Sequence, residues 1–271
     1  MTDRPGLFDH LYDDAAIFPP GDASLEAAVP AHRAWLASPH AMTVGTFVCS
    51  APRLDDLARL GPDFPVSVTV PDGPGALPGV LDRVDIDVAS VEVPLDLDGW
   101  PELEGAVHRT EVYAEVRLAD LSVTLAARLA SAGIRLKVRT GGADAAMFPT
   151  AAALAEGIVT AVRADLPFKL TAGLHHALRH RDPATGFEHH GFGNVLAATA
   201  AAVGGAGPEE VAVILDDTDA DTVVTTLRAL SPAQKGSVRS RFRSFGTCSI
   251  QEPLEDLAAL GLLPATTGTG A

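Results

Sequence analysis

From about residue 43 onward the chain alternates between short strand-like runs and alanine-rich stretches of helical periodicity. Strand-like runs stand at 43–49 (TVGTFVC), 66–70 (VSVTV), 86–93 (IDVASVEV), 110–116 (TEVYAEV), 134–139 (IRLKVR), 168–171 (FKLT), 211–215 (VAVIL) and 241–247 (RFRSFGT). Segments 53–60, 121–132, 150–164, 194–203, 219–230 and 253–260 suit amphipathic helices. Asp120 or Ser122 can cap the helix over 121–132, and Ser249-Ile-Gln-Glu252-Pro253 reads as a capping box with proline in the first turn. Eight strands alternating with helices imply a parallel sheet, and eight is the number that closes on itself. The expected fold is therefore α/β, a (β/α)8 TIM barrel occupying residues 1–271 as a single domain. A doubly wound sheet would want a glycine-rich turn after its first strand, whereas Cys49-Ser-Ala-Pro-Arg53 has no glycine. Within the lead-in 1–40, residues 24–38 are expected to form an extra helix closing the barrel bottom. The tail 265–271 reads as flexible, and the Gly/Pro-rich stretches 71–79 and 204–208 as loops.

Side chains alternate along a strand, so in a barrel one set meets the helices and the other fills the interior. Val91 and Val93, then Val112, Ala114 and Val116, then Ile134, Leu136 and Val138, then Phe168 and Leu170 form the apolar, helix-facing sets. This leaves Glu92, Glu111, Tyr113, Glu115, Arg135, Lys137, Arg139, Lys169 and Thr171 pointing inward. Ionised groups are rarely buried unpaired, so this interior is expected to be partly wet or internally neutralised. Glu92, Glu115, Lys137, Arg139 and Lys169 lie toward the carboxyl ends of their strands, the face where barrel active sites sit. An ion-pair network of purely structural purpose would leave the same pattern.

Composition sharpens two of these positions. Of 20 strongly basic residues 17 are arginine, so a lysine here is an uncommon choice, and Lys137 and Lys169 both fall inside strands; the third is Lys235. Two ammonium groups on neighbouring strands disfavour each other's charge, and desolvation pushes the same way. Lys137 is then expected to be a free amine able to attack a carbonyl and form an imine, with Lys169 the cation that keeps its pKa low.

Lys137-Val-Arg-Thr140-Gly141-Gly142, followed after a helix by Lys169-Leu-Thr-Ala-Gly173, resembles the two lysine strands of deoxyribose-phosphate aldolase-type class I aldolases. The resemblance covers about 40 residues. It implies a Schiff-base lyase in which Lys137 forms the imine and Lys169 lowers its pKa. That family carries the pair on the sixth and seventh strands; counted from 43–49, the pair here falls on the fifth and sixth. The Leu-His-His that follows Gly173 is not part of the family pattern, and no residue matches the family's catalytic aspartate.

After 168–171 comes a long loop, 173–193, holding five of the nine histidines: His175, His176, His180, His189 and His190. A loop this long in a barrel is usually a lid or binding loop. His175 and His176, nearest the strand, are candidate proton-transfer groups with Glu115, and His189 and His190 are candidates to swing in on closure. Histidine with Glu92 or Glu115 could instead hold a divalent ion, and a solvated loop paired to Asp182 and Glu188 is the third reading. Arg139 with Thr140-Gly141-Gly142 resembles an anion-binding turn, and Thr171 and Arg243 are further candidate substrate contacts. Cys49 and Cys248, ending the first and eighth strands, are expected to be neighbouring buried thiols rather than a redox pair.

The charge of −15 argues against nucleic-acid or anionic-membrane surfaces. The N-terminus lacks an apolar signal region, no run approaches the roughly 20 apolar residues of a membrane span, and two cysteines make no disulfide framework; a cytoplasmic protein is expected. The expected activity is that of a lyase acting on a small anionic carbonyl compound, carrying phosphate or carboxylate, with no cofactor. A metal-assisted isomerase or hydrolase and a non-catalytic anion-binding barrel are the alternatives, and homo-oligomerisation is left open.

Overall fold

In the computed structural model, which describes residues 6–264, eight parallel strands close into a barrel. In ring order they are β1 (Tyr12–Asp14), β2 (Val44–Ser50), β3 (Val66–Thr69), β4 (Val88–Pro94), β5 (Glu111–Glu115), β6 (Arg135–Arg139), β7 (Phe168–Thr171) and β10 (Phe242–Thr247). The last strand, β10, pairs with both β7 and β1. A two-stranded antiparallel hairpin, β8 (His180–Arg181) and β9 (Glu188–His189), rises from the loop after β7.

The outer layer contains α1 (Leu25–Leu36), α2 (Leu54–Arg59), α3 (Leu77–Leu81), α4 (Trp100–Ala106), α5 (Val123–Ser131) and α6 (Ala151–Arg163). Four consecutive helices, α7 (Phe192–Val203), α8 (Pro208–Asp216), α9 (Ala220–Ala229) and α10 (Pro232–Arg241), separate β7 from β10, and α11 (Gln251–Ala259) follows. Ser122 caps α5 as expected, accepting from the Leu125 amide at 3.1 Å. Ser249 accepts from the Glu252 amide at 3.3 Å, but the Glu252 carboxylate turns to a histidine instead of completing the box. The stretch 145–163 is apolar and long enough to meet the compositional requirement for a membrane span, contrary to expectation. It comprises a short turn and α6, whose Leu154, Ala155, Ile158 and Val159 are buried.

Two strand assignments differ from expectation. Segment 211–215 is helical, not the seventh strand. Pro208 opens α8 and Glu209 and Glu210 fill its first turn, where the helix dipole favours acids. Burial follows helical spacing: Val211 and Leu215 are buried while Val213 between them is 71% exposed. The missing strand is β1, three residues inside the supposed lead-in, all buried. The helix expected to plug the bottom is α1, an outer-layer helix between β1 and β2 that buries Leu25, Ala28, Val29 and His32. Counting from β1, Lys137 and Lys169 stand on the sixth and seventh barrel strands. Cys49 and Cys248 are not on neighbouring strands either, because β1 lies between β2 and β10.

The orientation of the strands agrees with the alternation. Val91, Val93, Val112, Ala114, Leu136, Val138, Phe168 and Leu170 all join the core between sheet and helices. Below the carboxyl-terminal face the interior holds a hydroxyl layer, in which Thr46, Ser67 and Ser90 form a chain of 2.6 Å contacts on β2, β3 and β4.

Candidate active site

Register brings the charged residues together. Lys137 and Lys169 are Cα partners on β6 and β7, and Glu115 on β5 is the partner of Lys137. Glu92 reaches in from β4 and bridges the lysines, with Oε2 2.8 Å from Lys137 Nζ and Oε1 2.5 Å from Lys169 Nζ. Lys137 Nζ lies 2.9 Å from Glu115 Oε2, and Glu115 Oε1 lies 3.4 Å from Arg139 Nε. On the other side Lys169 Nζ donates to Asp13 Oδ2 at 2.6 Å. The result is a ribbon of alternating charge across the barrel: Asp13, Lys169, Glu92, Lys137, Glu115, Arg139. Its formal charges cancel, as burial of ionised groups requires.

The two lysine side chains are only 4% and 2% exposed, Lys137 and Lys169 respectively. Burial pushes the Glu92 carboxyl up, but the two ammonium groups outweigh it and hold the carboxyl at about 2. Burial likewise opposes the charge on Lys169, and the carboxylates of Asp13 and Glu92 overcome it, raising the ammonium well above its ordinary range. The Tyr113 ring sits 5.2 Å from Lys169 Nζ, adding a cation–π contact. Glu115 behaves as Glu92 does: burial raises it, and Lys137 with Arg139 brings it below the ordinary carboxylate range. Lys169 is thus a fixed cation, while Lys137 has a carboxylate on each side.

Asp13 was not among the residues expected here. Its Oδ1 accepts from the Thr46 amide and hydroxyl, each at 3.0 Å, and its Oδ2 from Ser244 Oγ at 2.6 Å as well as from Lys169. Every oxygen is occupied, and β1 is too short to show alternation. The neighbouring Asp14 points the other way, to His32 Nδ1 on α1 at 2.9 Å.

A cavity of about 780 Å³ opens at the carboxyl ends of the strands, with Glu92, Lys137 and Lys169 at its floor. Arg139, Gly142, Thr171, His175, His176 and His189 also line it. His175 Nδ1 lies 2.9 Å from Glu252 Oε2 and His176 Nδ1 3.1 Å from Asp256 Oδ2, so α11 orients both imidazoles. Of the alternative in which the loop's histidines and arginines pair with Asp182 and Glu188, the structure has the arginine pairing of Glu188 and not the histidine pairing. Asp182 caps its own turn through Thr185, and Glu188 faces Arg179 and Arg181.

Four expected substrate contacts are corrected. His190 is buried away from the cavity, its Nε2 2.8 Å from the Pro149 carbonyl. Thr140 is also buried, its hydroxyl donating to the Ala172 carbonyl at 2.7 Å, which ties the ends of β6 and β7 together. Gly141 serves the same junction: a Cβ there would fall 2.8 Å from Gly173 Cα, so only glycine lets the two turns touch. Arg243 sits at the amino-terminal end of the barrel, because β10 pairs Phe245 with Tyr12 and leaves Arg243 below β1. There the buried Arg239 donates to the carbonyls of Phe242 and Asp9 at 2.6 and 2.9 Å and to that of Arg243.

The metal reading required histidine beside Glu92 or Glu115. Both carboxylates are instead engaged by lysines, His175 and His176 turn to α11, and among the described residues no three His, Cys, Asp or Glu gather to hold an ion. Cys49 lies in the core, where burial pushes its thiol up to about 11. Cys248 lines the cavity 3.8 Å from His175 Nδ1, and burial raises its thiol too.

A closed parallel barrel carrying a charged cavity on its carboxyl-terminal face belongs to an architecture that is commonly enzymatic, with its chemistry at that face. Comparison with protein-family models, curated proteins and solved structures finds no match.

Proposed function

We propose that the protein is a lysine-imine lyase of class I aldolase type, acting on a small anionic carbonyl compound, with Lys137 as the nucleophile. The observation that carries this reading is the shared carboxylate: Glu92 holds two lysines side by side at a cavity floor. Lys169 is locked as a cation by Asp13 and Glu92. Through the carboxylate they share, it fixes the position of the Lys137 amine at the cavity floor. Counting from β1, the pair also occupies the strand positions at which the resembled aldolases carry theirs.

In this scheme Glu115, in contact with Nζ, takes the ammonium proton, and the freed amine attacks the carbonyl carbon. A C–N bond forms, and two proton transfers expel the carbonyl oxygen as water, leaving a protonated imine. The imine then draws in the electron pair of the bond between the α and β carbons as it breaks, and that pair becomes the double bond of an enamine. A hydroxyl on the departing fragment loses its proton to His175 or His176 and leaves as an aldehyde. The enamine picks up a proton at carbon, and water hydrolyses the imine. Arg139, exposed at the cavity wall, receives the anionic group.

Borohydride reduction in the presence of pyruvate or a short aldehyde tests this. A reduced adduct on Lys137, lost in Lys137→Met and strongly diminished in Lys169→Met, is the expected result. Absence of any adduct, or one confined to Lys235, would overturn it.

A further inference from the structure

Above the charged floor the cavity is walled by a chain of rings. Centroids of Phe187 and Phe148 lie 5.4 Å apart, Phe148 and His189 4.5 Å, His189 and His180 5.1 Å, and His180 and His176 4.6 Å. All five side chains line the cavity. The wall is built by two loops: Phe148 follows β6, and the other four rings come from the loop after β7. The hairpin sets two of them side by side, since His180 and His189 are Cα partners across β8 and β9. Apolar Phe18, Val48 and Met147 line the cavity as well.

This wall is poorly suited to an anion. Burial lowers the pKa of both His180 and His189, with His176 adding to the effect on the first and His180 to that on the second, so the imidazoles favour their neutral forms. Neutral rings at centroid spacings of about 4.5–7 Å are suited to offset or edge-to-face contact with another ring. The anion-binding capacity is confined to the floor and to Arg139. Size points the same way: about 780 Å³ falls within the roughly 300–1,000 Å³ of pockets that enclose drug-sized ligands, well beyond a three-carbon oxo acid.

We infer that the upper cavity binds a planar aromatic or heteroaromatic group, so that the natural substrate is an aryl-bearing 2-oxo acid. Its carbonyl lies at Lys137, its anionic group at Arg139, and its ring against Phe148, Phe187 and the histidines. The inference rests on the lysine-imine reading and specifies the substrate class of that same site.

The test compares borohydride trapping of phenylpyruvate and pyruvate by the full chain, read by mass at Lys137, with equilibrium dialysis of both acids against Lys137→Met. Phenylpyruvate is expected to reach half-trapping at about tenfold lower concentration than pyruvate, as differential apolar contact commonly yields. The ratio should collapse toward one in Phe187→Ala and, separately, in Phe148→Leu, which keeps bulk without a ring. Equal trapping of the two acids, or a ratio untouched by both variants, overturns the ring site while leaving the imine intact. If neither acid is trapped, the imine reading fails and dialysis decides. Tighter retention of phenylpyruvate by Lys137→Met, weakened by Phe187→Ala, still supports the ring site, and no preference overturns it.

Discussion

The Lys169 ammonium and the Asp13 carboxylate meet at 2.6 Å inside the barrel although 156 residues separate them in the chain. With Glu92 on its other side, Lys169 has no access to a neutral state near physiological pH, and the division of labour proposed for the two lysines rests on that asymmetry. Lys137 faces the more exposed Glu115 and the cavity; Lys169 faces two buried acids.

Glu92→Gln removes the carboxylate that separates two buried ammonium groups. Breaking a buried pair on one side typically costs about 3–5 kcal/mol, and here two pairs lose the same partner. Urea denaturation should show destabilisation of at least that order, and Glu92→Gln/Lys137→Met should recover part of it. A Glu92→Gln protein as stable as the parent would contradict the ribbon of paired charges.

Acid sensitivity follows from the same group. The Glu92 carboxyl is held at about 2 in the fold against 4.5 as its ordinary value. A depressed carboxyl contributes its full stability above the ordinary value and loses it as pH falls toward the folded value. Unfolding free energy should therefore drop between about pH 4.5 and 2, with a shallower drop in Glu92→Gln. Lys169 has the opposite sign: its raised pKa contributes fully below the ordinary 10.5, so it adds no loss anywhere in the acid range.

The ring-bearing hairpin should loosen under milder acid. His180 and His189 have folded pKa values below the ordinary 6.5, so below that pH the opened state binds more protons and protonation favours opening. Hydrogen exchange over residues 180–189 should quicken as pH falls through about 6.5, while the barrel strands keep their protection. Replacing both histidines by glutamine should remove most of this dependence.

His32→Leu leaves the buried Asp14 carboxylate without its imidazole partner while conserving most of the packing against Phe47 and Phe64. A cost of about 1–3 kcal/mol is expected for the orphaned group, and Asp14→Ala in that background should cost little more. Independent, additive losses would argue against the pairing.

Much of this was legible because β4 to β7 are long enough to alternate. One apolar set per strand pointed Glu92, Lys137 and Lys169 inward, and register did the rest. Asp13 escaped because three residues containing two acids carry no periodicity; its inward direction is set by pairing on both sides with β2 and β10. Val211–Leu215 misled in the opposite sense, its β-branched composition overridden by Pro208, two first-turn glutamates and i, i+4 burial. His190 and Arg243 were chosen by proximity in sequence, and loop trajectory and strand register carried them elsewhere. The ring wall was hidden for a related reason: Phe148 and the histidines belong to different loops, and only closure of the barrel sets those loops side by side.

The pairing of the three-residue β1, first of the barrel strands along the chain, with β10, the last, is the seam of the ring, and β1 also supplies the acid that neutralises Lys169. A chain that has assembled everything except this seam carries a buried cation with one counter-charge too few. Completion of the ring and neutralisation of the charged ribbon are then a single event, and a partly open barrel is penalised at the floor of the cavity.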